Sequence, residues 1–273
     1  MEHLLEKIEE TTTFLQAKGF TGAKAGIVLG TGLGSFIKLI KIEQSIPYNE
    51  IPNFPIATVE FHKGQLIIGY VGDTKVIAMQ GRFHYYEGYS MQQITFPVRV
   101  MKALGIEYLL LSNAAGGMNL NYKKGDLVLL DDHINMLPEN PLRGLNDAAY
   151  GNRFVDMSQP YNAQLNLLIK NAATTLNIGL QQGVYVSVMG PNLETRSEYK
   201  YLKNIGADLV GMSTVPEVIV ANHVGLACAA ISVITDECNP DNLQPVSIAE
   251  IIAVAGKADD KLSKIFELVV RNL

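Results

Sequence analysis

Two kinds of hydrophobic spacing divide the chain. Near the start, Leu4, Leu5, Ile8 and Leu15 recur at helical spacing, which predicts an amphipathic helix over the first 18 residues. A second such helix closes the chain, where Ser247 and Glu250 form a capping-box pattern ahead of Ile251, Ile252, Ala255, Leu262, Ile265 and Leu268. Between them lie short apolar runs at Gly26–Leu29, Leu66–Val71, Val76–Gln80, Tyr108–Ser112, Leu127–Leu130, Val184–Val188, Asp208–Gly211 and Ala230–Thr235, each followed by turn or helix-start residues. Near-continuous apolar strands interspersed with helices predict an α/β fold whose sheet is buried on both faces. No linker-like, repeated or low-complexity tract interrupts the pattern, so residues 1–273 are read as a single domain.

The polar clusters follow the apolar runs. GTGLG comes after the first, GRFHYYEGY after Val76–Gln80 and NAAGGMN after Tyr108–Ser112. GPNLETRSE, MSTVPE and DECNPDN then follow Val184–Val188, Asp208–Gly211 and Ala230–Thr235. In open α/β sheets ligands bind beyond the carboxyl ends of the strands, so six such clusters are expected to converge on one site.

Composition narrows the choice of function. A 48% hydrophobic and 18% charged chain suits a well-buried globule. With a formal charge of −5 and scattered Lys and Arg, it offers neither a nucleic-acid groove nor a membrane-surface patch. The opening MEHLLEKIEETTTFLQ is too acidic and polar for a signal peptide, and no apolar run approaches the roughly 18 residues of a membrane span, so a cytoplasmic protein is expected. Cys228 sits in an apolar run and Cys238 in a polar loop, read as one core thiol and one loop thiol. No HExxH, CxxC or DxDxDG appears and the five histidines are dispersed, so no metal site is expected.

Each cluster has a chemical reading beside a structural one. Gly30–Gly34 can present backbone N–H groups and the Thr31 hydroxyl to an anion, or simply turn the chain. As a dinucleotide fingerprint its third glycine comes one residue early, which disfavours a nucleotide-dependent oxidoreductase. In Gly81–Tyr89, Arg82 offers a planar fork to phosphate oxygens and His84 a donor or acceptor beside it, with Glu87 in reach to fix the His84 tautomer; the alternative is a surface Arg–Glu pair with a structural histidine. Asn113, Ala114, Ala115, Gly116 and Gly117 let a ligand lie against the backbone, or let a helix cross closely. Ser213–Glu217 reads as a helix start with Thr214 as N-cap and Glu217 at N3, and Ser213 is placed to hold an anion there. Asp236 either caps a turn with Asn239 and Asp241 or meets a bound heterocycle, and Glu194 raises the same choice. His62 is a site histidine or a turn residue.

Taken in order, GTGLG, HKG, QGRFHYYEGY, SNAAGG, NPLRGLND, GPNLET, VGMSTVPEVI and the strand ending in ITD resemble the trimeric purine nucleoside phosphorylases, from about Gly26 to Asp236. That resemblance implies one α/β domain around a mixed, partly barrel-like sheet flanked by helices, and a homotrimer with sites at subunit boundaries. It implies no cofactor, inorganic phosphate being a co-substrate, and purine nucleosides as the other small-molecule partner. By position it implies a phosphate site of Thr31, Arg82, His84, the Ala114 N–H and Ser213, closed over by His62. Tyr86 and Met212 would line the ribose with Phe154 of a neighbouring subunit. Glu194 and Asp236 would read the purine, with Ala115, Gly116, Leu193 and Gly211 packed on it, and Glu87 would orient His84. The implied reaction is reversible phosphorolysis to free base and (deoxy)ribose 1-phosphate, with Asp236 as the group that protonates or hydrogen-bonds to the leaving purine.

Three positions depart from the mammalian-like pattern. Asp236 replaces an asparagine, so it would accept from a 6-amino group where asparagine donates to a 6-oxo group. Leu193 stands where an aromatic ring commonly stacks on the base, and Ile248 or Ala249 where a histidine contacts the ribose 5′-hydroxyl. ITDEC also resembles methylthioadenosine phosphorylase, a relative acting on a 5′-modified adenine nucleoside, which leaves that reaction as the alternative. A non-catalytic nucleoside sensor is the reading from another class, and Arg82, His84 and Glu87 together argue against it.

Overall fold

The computed structural model describes residues 3–56, 58, 63–145 and 150–273; His62 and the Asn146-Asp147 end of NPLRGLND lie outside the described residues. Among the described residues nine strands form one sheet: β1 (Ala25–Leu29), β2 (Lys41–Pro47), β3 (Gln65–Val71), β4 (Thr74–Gln80), β5 (Tyr108–Gly117), β6 (Leu127–Asn135), β7 (Leu180–Ser187), β8 (Leu209–Gly211) and β9 (Ala227–Glu237). Their order is β2-β3-β4-β1-β5-β8-β7-β6-β9, and a further β5–β9 pairing brings the last strand back onto the fifth. β5, β8, β7, β6 and β9 therefore close on themselves, while β2, β3, β4 and β1 extend as an open wing. Pairing is mixed: β1 is parallel to β4 and β5, whereas β5–β8 and β6–β9 are antiparallel. The expected mixed, partly barrel-like sheet is what the strands build.

Six α-helices among the described residues cover the sheet: α1 (Leu4–Ala17), α2 (Met91–Ala103), α3 (Ala163–Thr175), α4 (Arg196–Asn204), α5 (Val215–His223) and α6 (Ile248–Arg271). α1, α2 and α5 pack into one apolar layer, α3 and α6 into the other. All five residues of β1 are buried, as its unbroken AGIVL predicts for a strand covered on both faces. β2 is the strand that hydropathy misses. Its sequence KIEQSIP is exposed everywhere except Ile46, because an edge strand needs only one side against its neighbour and charged residues there discourage further pairing.

At α6, Ser247 Oγ accepts from the Glu250 N–H at 3.2 Å and Glu250 returns to the Ser247 N–H at 3.3 Å, as expected. At α5 the box does not form: Thr214 has φ 70° and its side chain makes no cap bond. Thr214 Oγ1 accepts instead from the Asn113 amide at 2.9 Å, and Glu217 turns to Arg82. Tertiary partners with charge and burial win over local capping.

Two clusters expected as loops beyond strand ends lie inside the strands. Asn113–Gly117 is the second half of β5, and Asp236 belongs to β9. The β5–β9 register slips at Thr235, with Ala115 opposite Ile234 but Gly116 opposite Asp236. A regular strand sends successive side chains to opposite faces; this bulge lets Thr235 and Asp236 both reach the same cavity. Cys238 lies in the loop just past β9, as expected, but it is 1% exposed, packed with Val186, Tyr199 and Val210.

Candidate active site

At the carboxyl ends of the strands the six polar clusters meet around one cavity of about 350 Å³. One end carries Thr31, Arg82, His84 and Ser213. Gly30 presses on the middle of β5 so closely that a Cβ would lie 2.7 Å from the Ser112 carbonyl oxygen. Gly32, at φ 73°, passes against Ala255 of α6. The turn is thus held by its surroundings, and Asp259 of α6 adds an acceptor for the Ser35 N–H at 2.6 Å. Thr31 faces the cavity from this turn.

Opposite it, Arg82 is 1% exposed. Its Nε donates to Glu217 Oε1 at 2.9 Å and its Nη1 to the Ser112 carbonyl at 2.7 Å, with Ser213 Oγ at 3.4 Å. The Arg–Glu pair is real but buried, and its carboxylate is Glu217 rather than the nearby Glu87. Ser213 and Ala114 line the same cavity.

His84 stands beside Arg82, stacked on Tyr86 with ring centroids 4.7 Å apart. Glu87 Oε1 accepts from the His84 backbone N–H at 2.8 Å and pairs with Nδ1 at 2.9 Å, which leaves Nε2 for other partners. Its other oxygen accepts from the Thr58 N–H and hydroxyl. Burial alone would raise the Glu87 pKa, but the bonds from His84 and Thr58 outweigh it and bring it down to about 2. The lowered value means this clamp stabilises the fold fully above the ordinary carboxyl pKa near 4.5 and loses that stabilisation as pH falls toward 2. Thermal unfolding followed against pH should therefore show wild type and Glu87→Gln furthest apart near neutrality, converging below about pH 4. A gap that stays constant down to about pH 3 would remove the charge from the explanation. Burial pushes the Tyr86 hydroxyl up to about 12, so Tyr86 meets the cavity as a neutral phenol.

The far end is acidic. Asp236, 5% exposed, has Oδ1 bonded by the Thr235 hydroxyl at 2.8 Å and Oδ2 by the Cys238 thiol at 3.0 Å. Glu194 faces it from the segment after β7, its pKa raised by burial first. Gly116 and Gly211 form bare walls: a Cβ on Gly116 would meet Cys238 Sγ at 2.6 Å, and one on Gly211 would collide with the Tyr185 hydroxyl. Ala115, Met212 and Leu193 complete the apolar lining, and Ile248, not Ala249, reaches it together with Ile251. Phe154 is 87% exposed and is not among the lining residues of its own chain. Glu217, Tyr199 and Cys238 are site neighbours that sequence reasoning did not single out as such. Glu217 was assigned to capping, and nothing in the local pattern ties Tyr199 to Cys238.

Among the described residues no three His, Cys, Asp or Glu side chains gather as a metal-holding group, and no helix is long and apolar enough to cross a membrane. Fold and site together define an α/β enzyme class in which an end bearing Arg82 and His84 faces an end bearing Glu194 and Asp236 across an apolar lining. The phosphorylase superfamily model matches residues 24–271. Purine nucleoside phosphorylase 1 of Bacillus subtilis is 46% identical over 97% of this chain and 98% of its own length. The Schistosoma mansoni purine nucleoside phosphorylase solved in complex with adenosine superposes at a TM-score of 0.92, with 38% identity over 98% of this chain and 97% of that one. The second isoform from the same organism, solved with cytosine and ribose-1-phosphate, gives 0.93 and 40% identity over 98% and 96%. The chain belongs to the phosphorylase superfamily and, within it, to the purine nucleoside phosphorylases.

Proposed function

We propose that this protein catalyses the reversible phosphorolysis of purine (deoxy)ribonucleosides, with inorganic phosphate as co-substrate and no cofactor. The observation that carries this reading is the single cavity in which Arg82, His84, Thr31 and Ser213 stand at one end and Glu194 and Asp236 at the other. In this reading Arg82, His84, Thr31, Ser213 and the Ala114 N–H hold phosphate, with His62 over it. Bound phosphate attacks the sugar and its charge stabilises the oxocarbenium character that develops as the glycosidic bond breaks. Tyr86 and Met212 flank the ribose, with Phe154 supplied by a neighbouring subunit of a cytoplasmic homotrimer. Asp236 and Glu194 hold the base edge while negative charge builds on the leaving purine. Glu87 fixes the ring of His84.

One observation favours a second reading. Ile248 and Ile251 give the cavity wall an apolar stretch at the start of α6, which suits a 5′-alkylthio group and so a methylthioadenosine phosphorylase. Base release from inosine, guanosine, adenosine and methylthioadenosine, each with and without phosphate, separates these. Phosphate-dependent release from the unmodified nucleosides is expected. Release from methylthioadenosine alone would replace the primary reading with the second, and nucleoside binding without any base release would replace both with a sensor.

A further inference from the structure

Behind Asp236 lies a set of connected groups with no part in the proposed chemistry. Cys238 Sγ lies 3.0 Å from Asp236 Oδ2, and the Thr235 hydroxyl lies 2.8 Å from Oδ1, nearer than its other acceptor, the Ala115 carbonyl at 3.3 Å. All three side chains are almost fully buried: Thr235 at 2%, Asp236 at 5% and Cys238 at 1% exposure. The Cys238 N–H is tied to the Gly117 carbonyl at 2.7 Å, which fixes the thiol over Gly116. There a Cβ at position 116 would come within 2.6 Å of Sγ and 3.1 Å of Asp236 Oδ2, so the absence of a side chain is what lets thiol and carboxylate meet. Tyr199 packs against Cys238, and its hydroxyl lies near enough to Cys238 and Glu194 to interact with both electrostatically.

We propose that Cys238 is a specificity-setting positioning residue: its S–H, donated from behind to Oδ2, keeps Asp236 aimed into the cavity as a hydrogen-bond acceptor and so biases the site toward bases that present N–H donors. The proposal rests on the reading of Asp236 as the base-reading group. Each oxygen of Asp236 accepts one proton from the protein side, so the lone pairs left over are those facing the cavity, and a ligand there is asked for a donor. An exocyclic 6-amino group supplies one; a 6-oxo group does not. Burial, and then the neighbouring Asp236 carboxylate, push the Cys238 thiol well above its usual range, so the proton it must donate is retained at neutral pH. Cys238 touches no substrate in this scheme and acts through Asp236.

The test compares three variants by calorimetric titration with adenine and with hypoxanthine, alongside the KM for phosphate. Cys238→Val fills the space without a donor; the preference for adenine over hypoxanthine should fall about tenfold, the scale of one hydrogen bond to a charged group. Cys238→Ser restores a donor and should bring the preference back to within about threefold of wild type. Phosphate KM should stay within about threefold in both, since Cys238 lies at the other end of the cavity; a purely structural defect would move both ends together. An unchanged preference in Cys238→Val, or a loss in Cys238→Ser as large as that in the valine variant, overturns the proposal. Asp236→Asn run beside them separates the two levels. If it leaves the preference unchanged, the reading of Asp236 fails and takes this one with it; if it shifts the preference while Cys238→Val does not, only the role of Cys238 is lost.

Discussion

Arg82→Ala is expected to raise the KM for phosphate by at least roughly 100-fold, because two charge-assisted bonds of about 1.5 kcal/mol each leave with the guanidinium. The same change should lower stability, for a reason unconnected with phosphate. Glu217 is 3% exposed, and its Oε1 is held by Arg82 Nε at 2.9 Å. Removing one member of a buried pair strands the other, at a cost of about 3–5 kcal/mol, which for a chain of this size lowers Tm by about 10 °C. The two effects can be separated by adding Glu217→Gln. The double variant should regain much of the lost Tm, since a neutral amide no longer needs the cation, and none of the phosphate affinity. A single variant whose phosphate KM stays within threefold of wild type would show that the anion is held elsewhere.

Why this pair escaped the sequence reading, when so much else did not, is a matter of range. Strands buried on both faces announce themselves through unbroken apolar runs, and every such run became part of a strand, from Ala25–Leu29 to Ala227–Glu237. Capping signals act over three residues, and at Ser247–Glu250 nothing competes with them. At Thr214–Glu217 something does. Arg82, 135 positions away in the chain, offers Glu217 a better partner than the helix N-terminus, and no local pattern contains that offer. The positions carried by the resemblance line the cavity because the strand order brings their segments together. Glu87 behind His84, Phe154 and the undescribed His62 are the exceptions. What remained hidden was the layer behind them. The slip of register at Thr235 needs the pairing of β5 with β9 to be known, and the contact of Cys238 with Asp236 needs the bare Gly116 between two strands.

Asp236→Asn should turn the choice of base around. Asp236 presents only acceptors to the cavity, so a 6-amino nucleoside gains a bond there and a 6-oxo nucleoside meets oxygen against oxygen. Asparagine can offer its Nδ2 hydrogens to the 6-oxo group, and it loses an acceptor for the 6-amino group. One bond is gained by one substrate and one lost by the other, each about 1–1.5 kcal/mol, so the ratio of kcat/KM for inosine over adenosine should rise roughly 30- to 100-fold. The protein side constrains how the amide sits. The Thr235 hydroxyl already donates at 2.8 Å to one oxygen, which favours the amide oxygen at that position. The amide nitrogen then falls beside Cys238 Sγ, a weak acceptor able to turn its proton away, so the new group fits with little cost. Arg82 and His84 lie at the opposite end of the cavity, and phosphate KM should stay within about threefold of wild type. A ratio of inosine to adenosine turnover that does not move would mean that Asp236, although buried in the wall, is not the group that reads the base.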